Sequence, residues 1–471
     1  MTETTVSADG ATALGAAGPE AAEASRLPFS VIFAFSAPRI AFGLMMTLFM
    51  TYLMKFCTDV LLIAPAAMGV LFLIARIWDG ISDPLAGFLS DRTRSRYGRR
   101  RSWMFAASVP MGVTMFMLWS PPAAITGTLL IVWVGLCYLA YETAQTAYLI
   151  PHGGLGAELT QDYDDRTRLF GLSHIIGYVG MAIGLVSLYL MTIAEDKRSF
   201  ASGLSLAGGI SVAVVVFWAT LKLPERKDYQ GRGSDNIFRA GGDVFRNPHS
   251  RLLLTIFAIE SFGSASLAIL GPYVSDYVAH EPSAIAWMYG AYLAPQVIFA
   301  PIFMQLARRF GKKQLWLVAM VLTAFGYLGL FMITEETKFM LIVGPALVGI
   351  GASCGAIVAP SIMADIIDYD EYLTGERKEG TYLAVWNLVR KFSSALPAMM
   401  TGFALTWLGF EPNVEQSEVV KFTMRALFGL MPAACYGIGT LLFLRFRLNK
   451  EEHAAVIREL EARKAAREQT T

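Results

Sequence analysis

Twelve apolar stretches dominate this 471-residue chain, at about 28–57, 66–90, 102–120, 124–150, 169–194, 201–222, 250–277, 284–307, 314–333, 338–363, 380–408 and 422–446, each long enough to cross a bilayer as a helix. In hydrocarbon every backbone N–H and C=O must be satisfied internally, so such a chain is restricted to a bundle of spanning helices. Composition agrees: 16% of the residues are charged and 55% apolar, against about 25% charged in an ordinary soluble domain. The net charge of +1 offers nothing to a nucleic acid. Cys57, Cys137, Cys354 and Cys435 lie far apart inside apolar stretches. They lack metal-ligand spacing and read as buried small residues rather than disulfides. No HExxH, Walker loop or paired metal-ligand cluster occurs, which argues against an enzyme and gives no sign of a cofactor.

The connections fix an orientation. The segment Asp91–Arg101 after the second stretch holds six arginines. Basic residues recur after the fourth (Arg166, Arg168), the sixth (Lys222 through Arg251) and the eighth (Arg308, Arg309, Lys312, Lys313). Thr58–Pro65, Ser120–Gly127 and Asp276–Ser283 contain no Lys or Arg. Positive charge is retained on the cytoplasmic side, so both termini are expected there, in a bacterial-type inner membrane. Residues 1–27 lack the basic start and cleavage pattern of a signal peptide and read as a disordered cytoplasmic tail. Residues 447–471 read as a second cytoplasmic tail, a solvated amphipathic helix with a Glu459–Arg463 pair.

An internal echo divides the chain. Arg96-Tyr-Gly-Arg-Arg-Arg-Ser-Trp103 follows the second stretch, and Arg309-Phe-Gly-Lys-Lys-Gln-Leu-Trp316 follows the eighth, 213 residues later. Ala157-Glu158 before Asp162-Tyr-Asp-Asp165 is answered by Ala364-Asp365 before Asp368-Tyr-Asp-Glu371. Two matches at nearly one offset predict six-helix halves at 28–222 and 250–446, joined by a polar cytoplasmic linker at 223–249. Parallel halves of this kind belong to the major facilitator architecture, with a substrate site near the bilayer midplane between them.

Inside the second stretch sit Asp79 and Asp83, in Arg76-Ile-Trp-Asp-Gly-Ile-Ser-Asp-Pro84. The i,i+4 spacing puts both carboxylates on one helix face. An ionised carboxylate at bilayer depth costs about 2.5–3.5 kcal/mol on the gentlest insertion scale. Such a pair should face a cavity, bind a cation, share a proton, or be neutralised by a partner such as Arg76. The bland reading is an ion pair with Arg76 that only braces helices. Glu142 lies at similar depth on the fourth stretch, as a third carboxylate at the cavity or a glutamate bonded between helices. Glu260 is a weaker intramembrane acid, and the isolated His152 and His174 read first as packing residues. Lys391 lies about 16 Å into the eleventh stretch at 1.5 Å per residue.

Gly87-x-x-x-Asp91-Arg92 with Gly98-Arg99-Arg100, Arg76–Pro84, Glu158-Leu-Thr-x-Asp-Tyr-x-x-Arg-Thr-Arg168, Met363-Ala-Asp-x-x-Asp-Tyr-Asp-Glu371 and Gly375-x-Arg-x-Glu-Gly-x-Tyr382 occur in this order. Together they resemble the glycoside–pentoside–hexuronide:cation symporters, the melibiose-permease-like family of the major facilitator superfamily, over roughly residues 30–445. The resemblance implies an all-α membrane protein of twelve transmembrane helices that carries a small-molecule substrate with a coupling cation, Na⁺ or H⁺, by alternating access. It implies a monomer in the lipid bilayer. It assigns the cation site to Asp79 and Asp83 with Ser82 and Thr146, metal being held there only as transported Na⁺. It sets Lys391 facing the central cavity across from the second helix. It makes Asp91, Arg92, Arg99 and Arg100 conformational ion-pair residues, with Arg76 grouped beside them.

The departures from the family bear on the substrate. The position of the family's sugar-binding acid on the first helix falls near Gly43, the first stretch holds no acid before Asp59, and Ser173 and His174 occupy the region of its arginine partner. Arg39, Glu142, His174, Tyr382 and Trp386, with Lys391, are the remaining cavity candidates. They favour a solute with an anionic or aromatic part, a uronide or modified glycoside, over a simple galactoside. The alternatives are a carrier of an amphipathic, lipid-like solute on the same fold, and a membrane receptor or scaffold that has lost transport.

Overall fold

The computed structural model describes residues 26–160, 162–225, 244–375, 379–446 and 450–468. The expected tail at 1–27 lies almost wholly outside these residues, and so does most of the linker. Among the described residues there are helices and no strand. We number the long helices α1 (Phe29–Thr51), α2 (Pro65–Arg92), α3 (Arg99–Trp119), α4 (Gly127–Leu159), α5 (Tyr163–Ile193), α6 (Lys197–Lys222), α7 (Pro248–Val278), α8 (Ala284–Phe310), α9 (Lys312–Phe331), α10 (Met340–Thr374), α11 (Glu379–Trp407), α12 (Glu418–Leu444) and α13 (Lys450–Glu468). Eleven, α1 to α10 and α12, are long and apolar enough to cross a membrane. The twelfth expected span, α11, has 29 residues and is long enough, but Asn387, Arg390 and Lys391 interrupt its apolar run.

Local chemistry starts these helices where the sequence permits. Asn247 accepts from the amides of His249 at 3.0 Å and Ser250 at 3.3 Å, with Pro248 at the first helical position of α7. Asp196 does the same for Arg198 and Ser199 at the start of α6. Many exposed side chains along these helices are Ile, Leu, Val and Phe, as lipid-facing helices require.

The two halves repeat each other in backbone detail. After α1 the chain runs through Leu53–Lys55 into a π-helical turn at Phe56–Val60, and α7 ends in a π-helical turn at Val274–Val278. Each turn is followed by a residue of positive φ, Leu62 at 57° and His280 at 51°. Each closes with a matching backbone bond, Ile63 N–H to Cys57 O at 2.9 Å and Glu281 N–H to Ser275 O at 2.7 Å. Between the halves α2 packs along α11. Their backbones touch so closely that a Cβ on Gly402 would lie 2.3 Å from the Pro65 carbonyl oxygen.

At the far end, α13 corrects the expectation of a solvated tail. Its Glu459–Arg463 pair forms at 3.3 Å, yet the helix is docked. Val456 is buried, His453 reaches Asp368 at 3.0 Å, and Arg463 donates to the Tyr372 carbonyl at 2.8 Å.

Candidate functional site

The α2–α11 crossing brings acids of the first half against a cation of the second. Asp79 is 1% exposed. Its Oδ2 accepts from Arg76 Nη1 at 2.7 Å and lies 3.6 Å from Lys391 Nζ. The Lys391 ammonium donates to Asp83 Oδ2, and Asp83 Oδ1 accepts from the Thr146 hydroxyl of α4 at 2.9 Å. Arg76 Nη2 reaches across to α4, donating to Glu142 Oε1 at 2.9 Å and Tyr138 Oη at 3.1 Å. One network therefore joins α2, α4 and α11, and it holds three carboxylates against two cations. Asp79 Oδ1 and the Ser82 hydroxyl, one turn apart on α2, are buried and have no hydrogen-bond partner. These are hard oxygen donors of the kind that hold Na⁺, and the carboxylate oxygen also accepts a proton.

Other expected residues fall elsewhere. Trp386 stacks on Phe257 of α7 with ring centroids 4.0 Å apart. Tyr382 is corrected: it is 3% exposed, in the core of the second half, and its hydroxyl accepts from Asn247 at 3.2 Å. His174 is exposed on α5, whereas His152 is a packing residue, stacked on Phe35 at 4.1 Å and bonded to its carbonyl. Glu260 is buried inside the second half, away from the network, with Oε1 unpartnered.

Of the arginine-rich loop, Arg99 and Arg100 converge with Asp91 and Glu158. Arg100 lies 3.0 Å from both acids, and Arg99 pairs with Glu158. Arg92 does not join them; its guanidinium stacks 3.9 Å over the Phe88 ring. Glu225, unnoticed in the sequence, accepts from the amides of Arg99, Arg100 and Arg101 at 3.0–3.2 Å. It closes the N-terminus of α3 with a carboxylate, the sign a helix dipole favours.

A second cluster, also missed, lies at the bundle end opposite the chain termini. Lys55 is buried, with Nζ 2.5 Å from Asp59 and 2.7 Å from Asp276, and 4.2 Å from the Tyr277 ring centroid. Tyr277 Oη donates to Asp59 at 2.9 Å, Thr58 and Tyr273 share a 2.8 Å bond, and the Asn413 amide donates to the Asp59 carbonyl. Both halves contribute, so the cluster ties them shut at that face. The recurrence of Thr58-Asp59 as Ser275-Asp276, each within a π-helical turn, was the available signal.

Gly43, near which the family resemblance sets a helix-one acid, lies at a close backbone contact. A Cβ on Gly43 would lie 2.5 Å from the Gly177 carbonyl oxygen and 2.6 Å from the Met181 nitrogen. Here α1 and α5 cross backbone to backbone, and no side chain fits.

Comparison with known proteins agrees with this architecture. A family model described as MFS/sugar transport protein matches residues 34–450. The chain is 26% identical over 430 residues to YjmB of Bacillus subtilis (strain 168), described as an uncharacterized symporter, covering 89% of this chain and 92% of that protein. It is also 26% identical over 435 residues to the isoprimeverose transporter of Lactiplantibacillus pentosus, covering 90% of each. The crystal structure of a D-xylose-proton symporter superposes with a TM-score of 0.66 at 13% identity, covering 89% of this chain and 98% of that one. At that identity it is the fold that is shared: a multi-pass bundle of the major facilitator type.

Proposed function

Because this chain belongs to the MFS/sugar transport protein family, a family of transporters and not of enzymes, we propose that it is a secondary active symporter. It carries a small sugar-like solute together with Na⁺ or H⁺ across the inner membrane. A relative described as an isoprimeverose transporter supports the solute class.

The observation that carries the coupling is the imbalance of the α2–α4–α11 network. Arg76 and Lys391 face Asp79, Asp83 and Glu142, which leaves one carboxylate charge uncompensated in a region where charge is expensive. A monovalent cation at Asp79 Oδ1 and Ser82 Oγ restores neutrality. Lys391 belongs to the other half, so it feels whether that site is filled and transmits occupancy across the domain boundary. With the positive loops cytoplasmic, the Lys55 cluster closes the extracellular face. Cation and solute load when it opens, and the halves then rock about the α2–α11 contact.

The test is uptake by purified protein in proteoliposomes, with inward Na⁺ and H⁺ gradients imposed separately on a panel of labelled sugars. One gradient should drive accumulation above equilibrium. Uptake of every transported sugar that is indifferent to both gradients overturns the reading.

A further inference from the structure

A cavity of about 820 Å³ lies at the polar end of the second half, between the α8–α9 junction, α10 and the chain that follows α12. Its walls are apolar, among them Phe310, Ile357, Val358 and Ile362. Its polar lining sets Arg309, Lys312 and Lys313 against a single acid, Asp365. That acid is taken by Lys312 at 2.7 Å. Lys313 donates to the carbonyls of Leu444 at 3.3 Å and Phe446 at 2.5 Å, which satisfies its hydrogens and leaves its charge uncompensated. Arg309 lies 5.5 Å from the Phe310 ring centroid and has no acid partner among the described residues. His453, also in the lining, faces Asp368 at 3.0 Å.

The first half shows what the equivalent place takes. Gly98 and Gly311 align in the echoed octets and share a positive φ, 101° and 85°. Arg99 meets Glu158 as Lys312 meets Asp365. In the first half the Glu225 carboxylate, just past α6, sits on the amides of Arg99, Arg100 and Arg101. Past α12 the chain runs Arg445-Phe-Arg-Leu-Asn-Lys450, with no acid before Glu451, and the start of α9 has no side-chain cap. Where one half keeps a carboxylate, the other keeps a basic cavity.

We propose that this cavity binds the phosphate of an anionic phospholipid, with Arg309 and Lys313 as its charge partners and the apolar walls receiving the first carbons of the acyl chains. Basic pockets between membrane helices at the polar surface suit acidic headgroups, and a guanidinium meets two phosphate oxygens at once. A soluble anion would use the cations and leave the apolar walls empty. An amphipathic one fills both.

The probes are phosphatidylglycerol and phosphatidylcholine with identical acyl chains, which differ in headgroup charge. Each is added to the full-length protein stripped of lipid in a neutral detergent. Bound lipid is counted by native mass spectrometry, and the melting temperature is followed alongside. Wild type should retain phosphatidylglycerol over phosphatidylcholine by about tenfold or more, as two unpaired cations near a membrane surface require. Arg309→Gln should lower that preference severalfold, and Ser361→Glu, which sets a negative charge on the cavity lining, should abolish it. Arg94→Gln, in the corresponding loop of the first half, should leave it unchanged. Equal retention of the two lipids by wild type, or a preference that Arg309→Gln and Ser361→Glu leave intact, overturns the assignment. A loss in Arg94→Gln as large as in Arg309→Gln overturns it too, as a diffuse charge effect. So does inorganic phosphate that displaces phosphatidylglycerol and stabilises the protein as much, since the occupant would then be a soluble anion. Arg309 is exposed, so Arg309→Gln is expected to fold, and the wild-type comparison can overturn the proposal without any variant.

Discussion

Lys55 of the first half lies 2.7 Å from Asp276 of the second, an ion pair that joins the halves at the face opposite the termini. Removing one partner of a buried pair leaves its acids uncompensated and costs about 3–5 kcal/mol. Here that cost falls on the closed state. Lys55→Met should therefore open this face, since Asp59 and Asp276 would then repel. In a background with the four buried native cysteines replaced, a cysteine at Ser82 should react several-fold faster with an external maleimide in Lys55→Met than in the parent. Equal rates would mean that the cluster does not hold the gate.

The arginine-rich loop predicts the sidedness. A cysteine placed between Asp91 and Arg101 should react with a membrane-impermeant maleimide only in inside-out vesicles. Reaction in intact cells would invert the topology drawn from the charge bias.

Glu225 gathers three amides at the start of α3. Loss of such a cap costs about 0.5–2 kcal/mol. Glu225→Gln should lower the melting temperature of the detergent-purified protein by a few degrees. Asp276→Asn, outside that end of the bundle, should leave Glu225→Gln with the same decrement, since distant sites add.

Gly43 predicts a negative result. Restoring the family's acid with Gly43→Asp should destabilise the protein and confer no melibiose binding, because the α1–α5 crossing leaves no space. Tight melibiose binding by Gly43→Asp, measured by competition, would contradict that packing.

Reading the sequence reached the fold and the acids of α2 because both depend on local signals: apolar run length, loop charge, and an i,i+4 spacing. Depth along a helix is countable, so Lys391 could be set deep in α11, while its place across from α2 came from the family resemblance. Rotation about the axis is not countable, and Tyr382 turned into the core to meet Asn247. Among the loop arginines the sequence offers six equivalents. Only the folded helix ends separate Arg99 and Arg100, which meet Glu158, from Arg92, which stacks on Phe88. The Lys55 cluster draws partners from α7 and from the segment after α11, and long-range pairing of that kind leaves no trace in one sequence beyond the echoed Thr-Asp and Ser-Asp.

The central claim is that the unbalanced carboxylates of α2 couple solute to cation. It is tested most directly by measuring accumulation and exchange side by side in proteoliposomes for wild type, Asp79→Asn and Asp83→Asn. Neutralising either acid removes the charge deficit that the cation answers, so both variants should lose gradient-driven accumulation while solute exchange persists at a measurable rate. Wild-type accumulation by both variants would contradict the account.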